Sequence, residues 1–286
     1  MSRAVGAFLA DGRLHLQHGP IDLICEAWGT PVAVQAGYRQ AARRFSTVLE
    51  ELVAELPVLR SETGVVRGQI ARRMARAVAP FAPVFITPMA AVAGAVAETV
   101  LAALVAPGVT RAYVNNGGDI ALHRAPGESL TCGLADVGGP RAPGSQIGRV
   151  RIAADTPVRG IATSGWRGRS WSFGIADAVT VLARSAAMAD AAATMIANAV
   201  DLPGHPAITR CPADQLQADT DLGGRLVTTA VAALCRSDAR TAAASGIAMA
   251  EAFRARGLIE AAAIFLQSEH QITGTLPVAH RESEPV

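Results

Sequence analysis

The chain contains no lysine. All 26 basic residues among its 286 are arginine. This excludes a Schiff-base lysine, a phosphate-binding P-loop lysine and a lysine general base, and it leaves a cation suited to bidentate binding of phosphate or carboxylate. Aromatic residues make up only 4%, so the core must come from Ala, Val, Leu and Ile. The four cysteines, Cys25, Cys132, Cys211 and Cys235, lie far apart and form no CxxC, which argues against a zinc site or a disulfide scaffold. No GxGxxG follows a strand pattern, and no GxxxxGK[ST] occurs, so neither a Rossmann nor a Walker site is supported. The six histidines have no metal-ligand spacing. His15, His18, His205, His270 and His280 read as surface or loop positions, and His123 as a strand end. A net charge of +2 offers no electrostatic footprint for nucleic acid. No apolar run is long enough to span a bilayer. The most apolar stretch, residues 89–107, is interrupted by Gly94 and Glu98 and reads as a buried helix. Residues 1–14 lack a signal-peptide core. The expectation is a cytoplasmic protein with no membrane partner.

What is present is ample apolar content, 50% of the chain, enough for one large domain or two small ones. Residues 6–17 alternate as an opening strand or hairpin. Helical spacing runs over 32–56, ended by Pro57, and again over 64–78, where Arg67, Arg72, Arg73 and Arg76 form a basic face read as solvated. The buried helix 89–105 follows. Short strands are expected at 111–115, 119–123, 130–135 and 149–152, with an exposed loop at 138–144. Two more strands are expected at 159–163 and 178–183, and a small-residue helix at 186–200. Residues 203–219 read as irregular, 220–235 and 241–256 as helices, and 258–266 as a closing buried strand. No internal repeat is visible. This order predicts an α+β fold with helices packed on a mixed or antiparallel sheet. Residues 1–275 are read as a single domain and 276–286 as a disordered tail.

Three segments carry candidate chemistry, with Pro88–Gly94 as a fourth of similar pattern. In Asn116-Gly117-Gly118-Asp119, adjacent glycines between two apolar runs allow positive φ and close approach of a ligand. The same pattern is also a strong hairpin-turn signal. Thr163-Ser164-Gly165 ends a strand and is followed by Arg167 and Arg169, a combination suited to phosphate or to an ordinary polar turn. Asp190 and Thr194 are four apart on a helical pattern, so they share a face. With a backbone carbonyl from elsewhere they would make a sparse site for a hard cation such as Mg²⁺. The alternative is that Asp190 N-caps the following helix while Thr194 packs inward. Cys132 is the cysteine expected nearest this cleft, read as a buried structural thiol.

Taken in order, Pro88–Gly94, Asn116–Asp119, Thr163-Ser164, Ser172–Val179 and Ala189–Thr194 resemble the ApbE-like superfamily, whose best-known members are FAD:protein FMN transferases. The resemblance is closest to the branch known as an uncharacterised protein family. It implies a T-fold-like ApbE-like α+β domain. It also implies that Asp190 and Thr194 correspond to Mg²⁺-holding side chains, with a carbonyl near Ala91 completing the site. Asn116, Gly117, Gly118 and Asp119, with Thr163, Ser164 and Gly165, would line a flavin-nucleotide cleft for FAD or FMN. The chemistry implied is attack on a pyrophosphate, with the metal neutralising developing charge. The chain departs from the transferases where they carry a His-containing segment after Thr-Ser-Gly; here it reads Trp171-Ser172-Phe173-Gly174-Ile175-Ala176-Asp177. Ala93-Gly94 stands where they have Lys-Gly, and Glu98 where they have Asp.

Three readings follow. The first is a metal-dependent transferase acting on a small nucleotide or other phosphorylated ligand. The second is a non-catalytic flavin- or nucleotide-binding accessory protein. The third is a different enzyme reusing the cleft, for which the branch suggests sulfur-amino-acid metabolism. Flat Ala-rich helices make a homodimer the expected assembly.

Overall fold

The computed structural model describes residues 3–135 and 146–275. In chain order the elements are β1 (Val5–Phe8), β2 (Leu14–His18), β3 (Ile21–Gly29), α1 (Pro31–Phe45), α2 (Val48–Ala54), α3 (Leu56–Leu59) and α4 (Gln69–Val78). A 3₁₀ turn, Pro88–Ala91, leads into α5 (Val92–Leu104). Then come β4 (Val109–Asn116), β5 (Asp119–Arg124), β6 (Ser129–Ala135), β7 (Gln146–Ala153), β8 (Gly160–Ser164), β9 (Ala178–Ala183) and α6 (Ala186–Ala199). The last elements are β10 (Ile208–Pro212), α7 (Ala213–Leu216), β11 (Leu226–Val231), α8 (Arg236–Ala255), β12 (Ala261–Leu266) and β13 (Glu269–Gly274).

Nine strands form one sheet in the order β1-β2-β3-β4-β5-β8-β9-β12-β13, and every neighbouring pair is antiparallel. The expected α+β class, with helices on an antiparallel sheet, is borne out. A unit of two strands, two long helices and two strands occurs twice: β2-β3, α1 and α5, β4-β5, and again β8-β9, α6 and α8, β12-β13. This is a repeat of topology with no repeat of sequence, since a strand or helix needs only its apolar period and not particular residues.

The main core lies between the helices and one face of the sheet, where Ala112, Val114 and Ala121 meet α5, and Val179, Val181 and Ala183 meet α6. A smaller core forms on the opposite face, where the β6-β7 ribbon folds over Leu122, Ile161 and Leu182. Cys132 packs there, away from the helices, and burial pushes its thiol up to about 11. That placement corrects the expectation that Cys132 borders the cleft.

Other expectations change for identifiable reasons. The helix expected over 32–56 is three helices. Ser46 donates to the Arg43 carbonyl at 2.8 Å, Thr47 to Glu51 at 2.7 Å, and these local bonds compete with the helix ladder. Pro57 falls in the first turn of α3, where it is tolerated. The helix expected over 220–235 is instead β11, whose Val227, Thr228 and Val231 are β-branched and pair with β10. The strands β3 and β13, and β10 with α7 inside the segment expected to be irregular, are not expected from the sequence, although β3 alternates strictly between buried Ile21, Leu23, Cys25 and Ala27 and less buried neighbours. His18 is buried at the end of β2, not on the surface. The loop expected at 138–144, His280 and the tail from 276 lie outside the described residues.

Candidate functional site at the seam between the two units

The two units join through β5 and β8, and that ladder is short: Ile120 faces Ile161 and Ala121 faces Gly160. Beyond it the strands part, and the Asp119 side chain fills the gap, its Oδ1 accepting the Thr163 backbone N–H at 3.2 Å. Gly117 and Gly118 form a two-residue turn between β4 and β5 with φ of 65° and 114°, the positive-φ turn that suits twisted hairpins. The Asn115 side chain accepts the Gly118 N–H at 2.8 Å and fixes the turn. The hairpin reading of this motif therefore holds, and the turn also opens onto the seam. Asn116 is buried and donates to the Ala93 carbonyl at 3.2 Å, tying the hairpin to the first turn of α5.

Above the seam α5 and α6 cross at their N-terminal turns. Gly94 sits so close to α6 that a methyl group there would lie 2.3 Å from the Ala186 carbonyl oxygen. Each helix caps the other. Asp190 Oδ2 of α6 accepts the Gly94 N–H at 3.0 Å, and Glu98 Oε1 of α5 accepts the Ala187 N–H at 2.9 Å. Arg73 on α4 holds the other oxygen of Glu98. The α6 helix is capped by Ser185, whose hydroxyl accepts the Met188 N–H at 3.1 Å, so the expectation that Asp190 N-caps its own helix is overturned. Asp190 sits in the second turn of α6 and serves the start of α5 instead.

The consequence is electrostatic. Burial raises the pKa of Asp190 well above the ordinary carboxylate range, and the nearby charge of Asp119 raises it further, despite the opposing bond from Gly94. Asp119 is itself pushed up to about 7 by burial, against the pull of the Thr163 N–H and of Arg169. Two half-buried carboxylates are thus held near each other, and among the described residues Arg169 is the cation whose charge acts on Asp119. That guanidinium lies over the turn, where a methyl on Gly117 would come within 2.3 Å of its Nη2.

The remaining expected residues take different places. The Thr163 hydroxyl pairs with Thr180 at 2.9 Å, so its contribution to the seam is its backbone N–H. Ser164 is half-buried at the end of β8, and Gly165 is buried against the Asp177 carbonyl. Arg167 is engaged by buried Asp177 at 2.7 Å and stacks 4.5 Å over Trp166, so of the two arginines only Arg169 reaches the turn. Thr194 lies half-buried one turn beyond Asp190, and Ala91 is fully buried where the 3₁₀ turn enters α5. Sequence reading did not single out Glu98 as a cap, nor Asn198, whose Oδ1 accepts the Phe173 N–H at 2.9 Å, nor Asp221, which accepts from the Thr87 hydroxyl. Their spacing carries no local signal, because every partner is distant in the chain. Among the described residues no group of three or more His, Cys, Asp or Glu is arranged to hold a metal, and no helix is long and apolar enough to cross a membrane.

The profile of a protein family described as AbpE bacteria matches residues 6–274. The chain belongs to that family. The match to the AbpE bacteria family bears out the resemblance carried by the five motifs, and so do the relatives. The UPF0280 protein of Methanothrix thermoacetophila is 41% identical over 135 residues, 46% of this chain and 52% of that protein. The UPF0280 protein of Methanobrevibacter smithii is 40% identical over 111 residues, 39% of this chain and 45% of that protein. The chain thus spans about half the length of the curated relatives it matches. The apo form of the flavinyl transferase ApbE of Pseudomonas stutzeri is 18% identical, with a TM-score of 0.36 over 88% of this chain and 74% of that one. That superposition is too loose to transfer residue positions.

Proposed function

We propose that the seam binds a phosphorylated nucleotide together with Mg²⁺, a flavin nucleotide being the form that the motif resemblance favours. The observation that carries this reading is the half-buried Asp119–Asp190 carboxylate pair. The charge of Asp119 opposes ionisation of Asp190, and a divalent cation relieves that repulsion while matching their hard oxygens. The donor set fits. Asp190 faces the start of α5, where the Gly94 and Ala93 backbone N–H groups act on its carboxylate. Thr194 follows on the same helix, and the carbonyl of Ala91, the N-cap residue of α5, would complete the set. When bound, Mg²⁺ would neutralise charge on the phosphate oxygens. The chain's own residues do the rest. Arg169 neutralises a phosphate lying along the Gly117-Gly118 turn. Asn116 holds that turn to α5. Asp119, titrating near neutrality, can hold or release a proton at its carboxylate.

The test is isothermal titration of the full chain with FAD, FMN and ADP, each with and without Mg²⁺. FAD or another nucleotide is expected to bind far more tightly with Mg²⁺ present, and Asp190→Asn is expected to remove that metal dependence by tenfold or more. Nucleotide binding that ignores Mg²⁺, or an Asp190→Asn variant that responds to Mg²⁺ as the wild type does, would overturn the reading.

A further inference from the structure

The basic face of α4, which the sequence pattern makes a solvated face, lines a concavity. Gln69, Arg72, Arg73 and Arg76 of α4 face Ser185 and Met188 at the start of α6 across a space of about 540 Å³. The α4 sequence contains no acidic residue at all. Arg73 is paired with Glu98, yet Arg72 and Arg76 make no ion pair or hydrogen bond among the described residues. They stand four apart on one helix, a spacing at which like charges oppose helix formation. The far wall adds to the positive field, since α6 is 14 residues long and presents its N-terminal end here. Its first N–H groups are already taken by Glu98 and Ser185, so the guanidiniums are the donors left for a ligand.

We infer that this concavity is a second anion site, one that takes a small phosphoryl anion such as pyrophosphate or the terminal phosphates of a nucleotide. A recess lined by two uncompensated guanidiniums concentrates multivalent anions and can grip phosphate oxygens through paired N–H donors. The Arg73–Glu98 pair need not break, because Arg72 and Arg76 supply the contacts. None of the residues lining the recess belongs to the seam pair, so this inference stands apart from the proposed function.

The test uses the full chain titrated calorimetrically with inorganic pyrophosphate at constant ionic strength and without Mg²⁺. Saturable binding at about one anion per chain is expected. The double variant Arg72→Gln/Arg76→Gln, on an exposed face and therefore expected to keep the wild-type melting temperature, should weaken binding at least tenfold. Asp190→Asn should bind pyrophosphate as the wild type does. Absence of saturable binding overturns the inference, as does a double variant that binds normally. Equal weakening by the double variant and by Asp190→Asn would place the anion in the seam and also overturn it. A further arm offers vesicles of phosphatidylcholine with and without phosphatidylserine. Capture by the anionic vesicles with no binding of pyrophosphate would assign the face to lipid headgroups and defeat the proposal of a small-anion site.

Discussion

Replacing Gly94 by alanine separates local preference from tertiary packing. In an isolated helix the change is favourable by about 1 kcal/mol, because glycine loses more backbone freedom on folding. In this protein the added methyl would lie 2.3 Å from Ala186 O, 2.4 Å from Ala186 C and 2.7 Å from Ala187 N. All three are backbone atoms of α6, and none can swing aside as a side chain would. The helices must part by roughly an ångström to reach ordinary contact. Overpacking of this kind costs about 1–3 kcal/mol. Parting the helices also stretches the two carboxylate caps, Gly94 to Asp190 and Ala187 to Glu98, and hydrogen bonds to charged groups contribute about 1.5–3 kcal/mol each. Partial loss of both, less the propensity gain, leaves a net destabilisation of about 2–4 kcal/mol. For a chain of this size that corresponds to a fall in Tm of about 4–16 °C. Urea and thermal unfolding measured together provide the assay. Ala102→Gly, an exposed site on the same helix, is the control and should cost only about 1 kcal/mol. A Gly94→Ala protein as stable as the wild type, or more so, would refute the close crossing.

Asp119 binds its proton more tightly in the fold than the roughly 3.9 of an unfolded aspartate, so this group's contribution to stability falls as pH rises from about 4 to about 7 and is flat above that. Asp119→Asn, which keeps an acceptor for Thr163, should lose less Tm between pH 5 and pH 8 than the wild type; identical profiles would contradict the raised pKa of Asp119. Native-state labelling with a thiol reagent at pH 7.5 should modify exposed Cys235 first, while Cys25 and Cys132, pushed up by burial to about 12 and 11, react only on unfolding. Rapid native labelling of Cys132 would show that the β6-β7 ribbon does not cover it.

Much of this protein is decided locally. The short apolar run of residues 178–183, buried on both faces, and the small-residue helical pattern of 186–200 give β9 and α6 almost to the residue. Asn-Gly-Gly-Asp makes its hairpin wherever it sits, since positive φ costs glycine nothing. The five ordered motifs likewise sufficed to place the chain in its family. Where local preferences compete, as at Ser46-Thr47 or in the β-branched run of β11, sequence period alone misassigned the element. The site belongs to the tertiary structure. Nothing near Asp190 in sequence says that it caps α5, or that Asp119 arrives beside it from 71 residues away to raise its pKa. Nor does anything near Gly94 say that α6 will press against it. Burial, charge proximity and close helix crossings are properties of residues distant along the chain, and only the sheet with its packed helices brings them together.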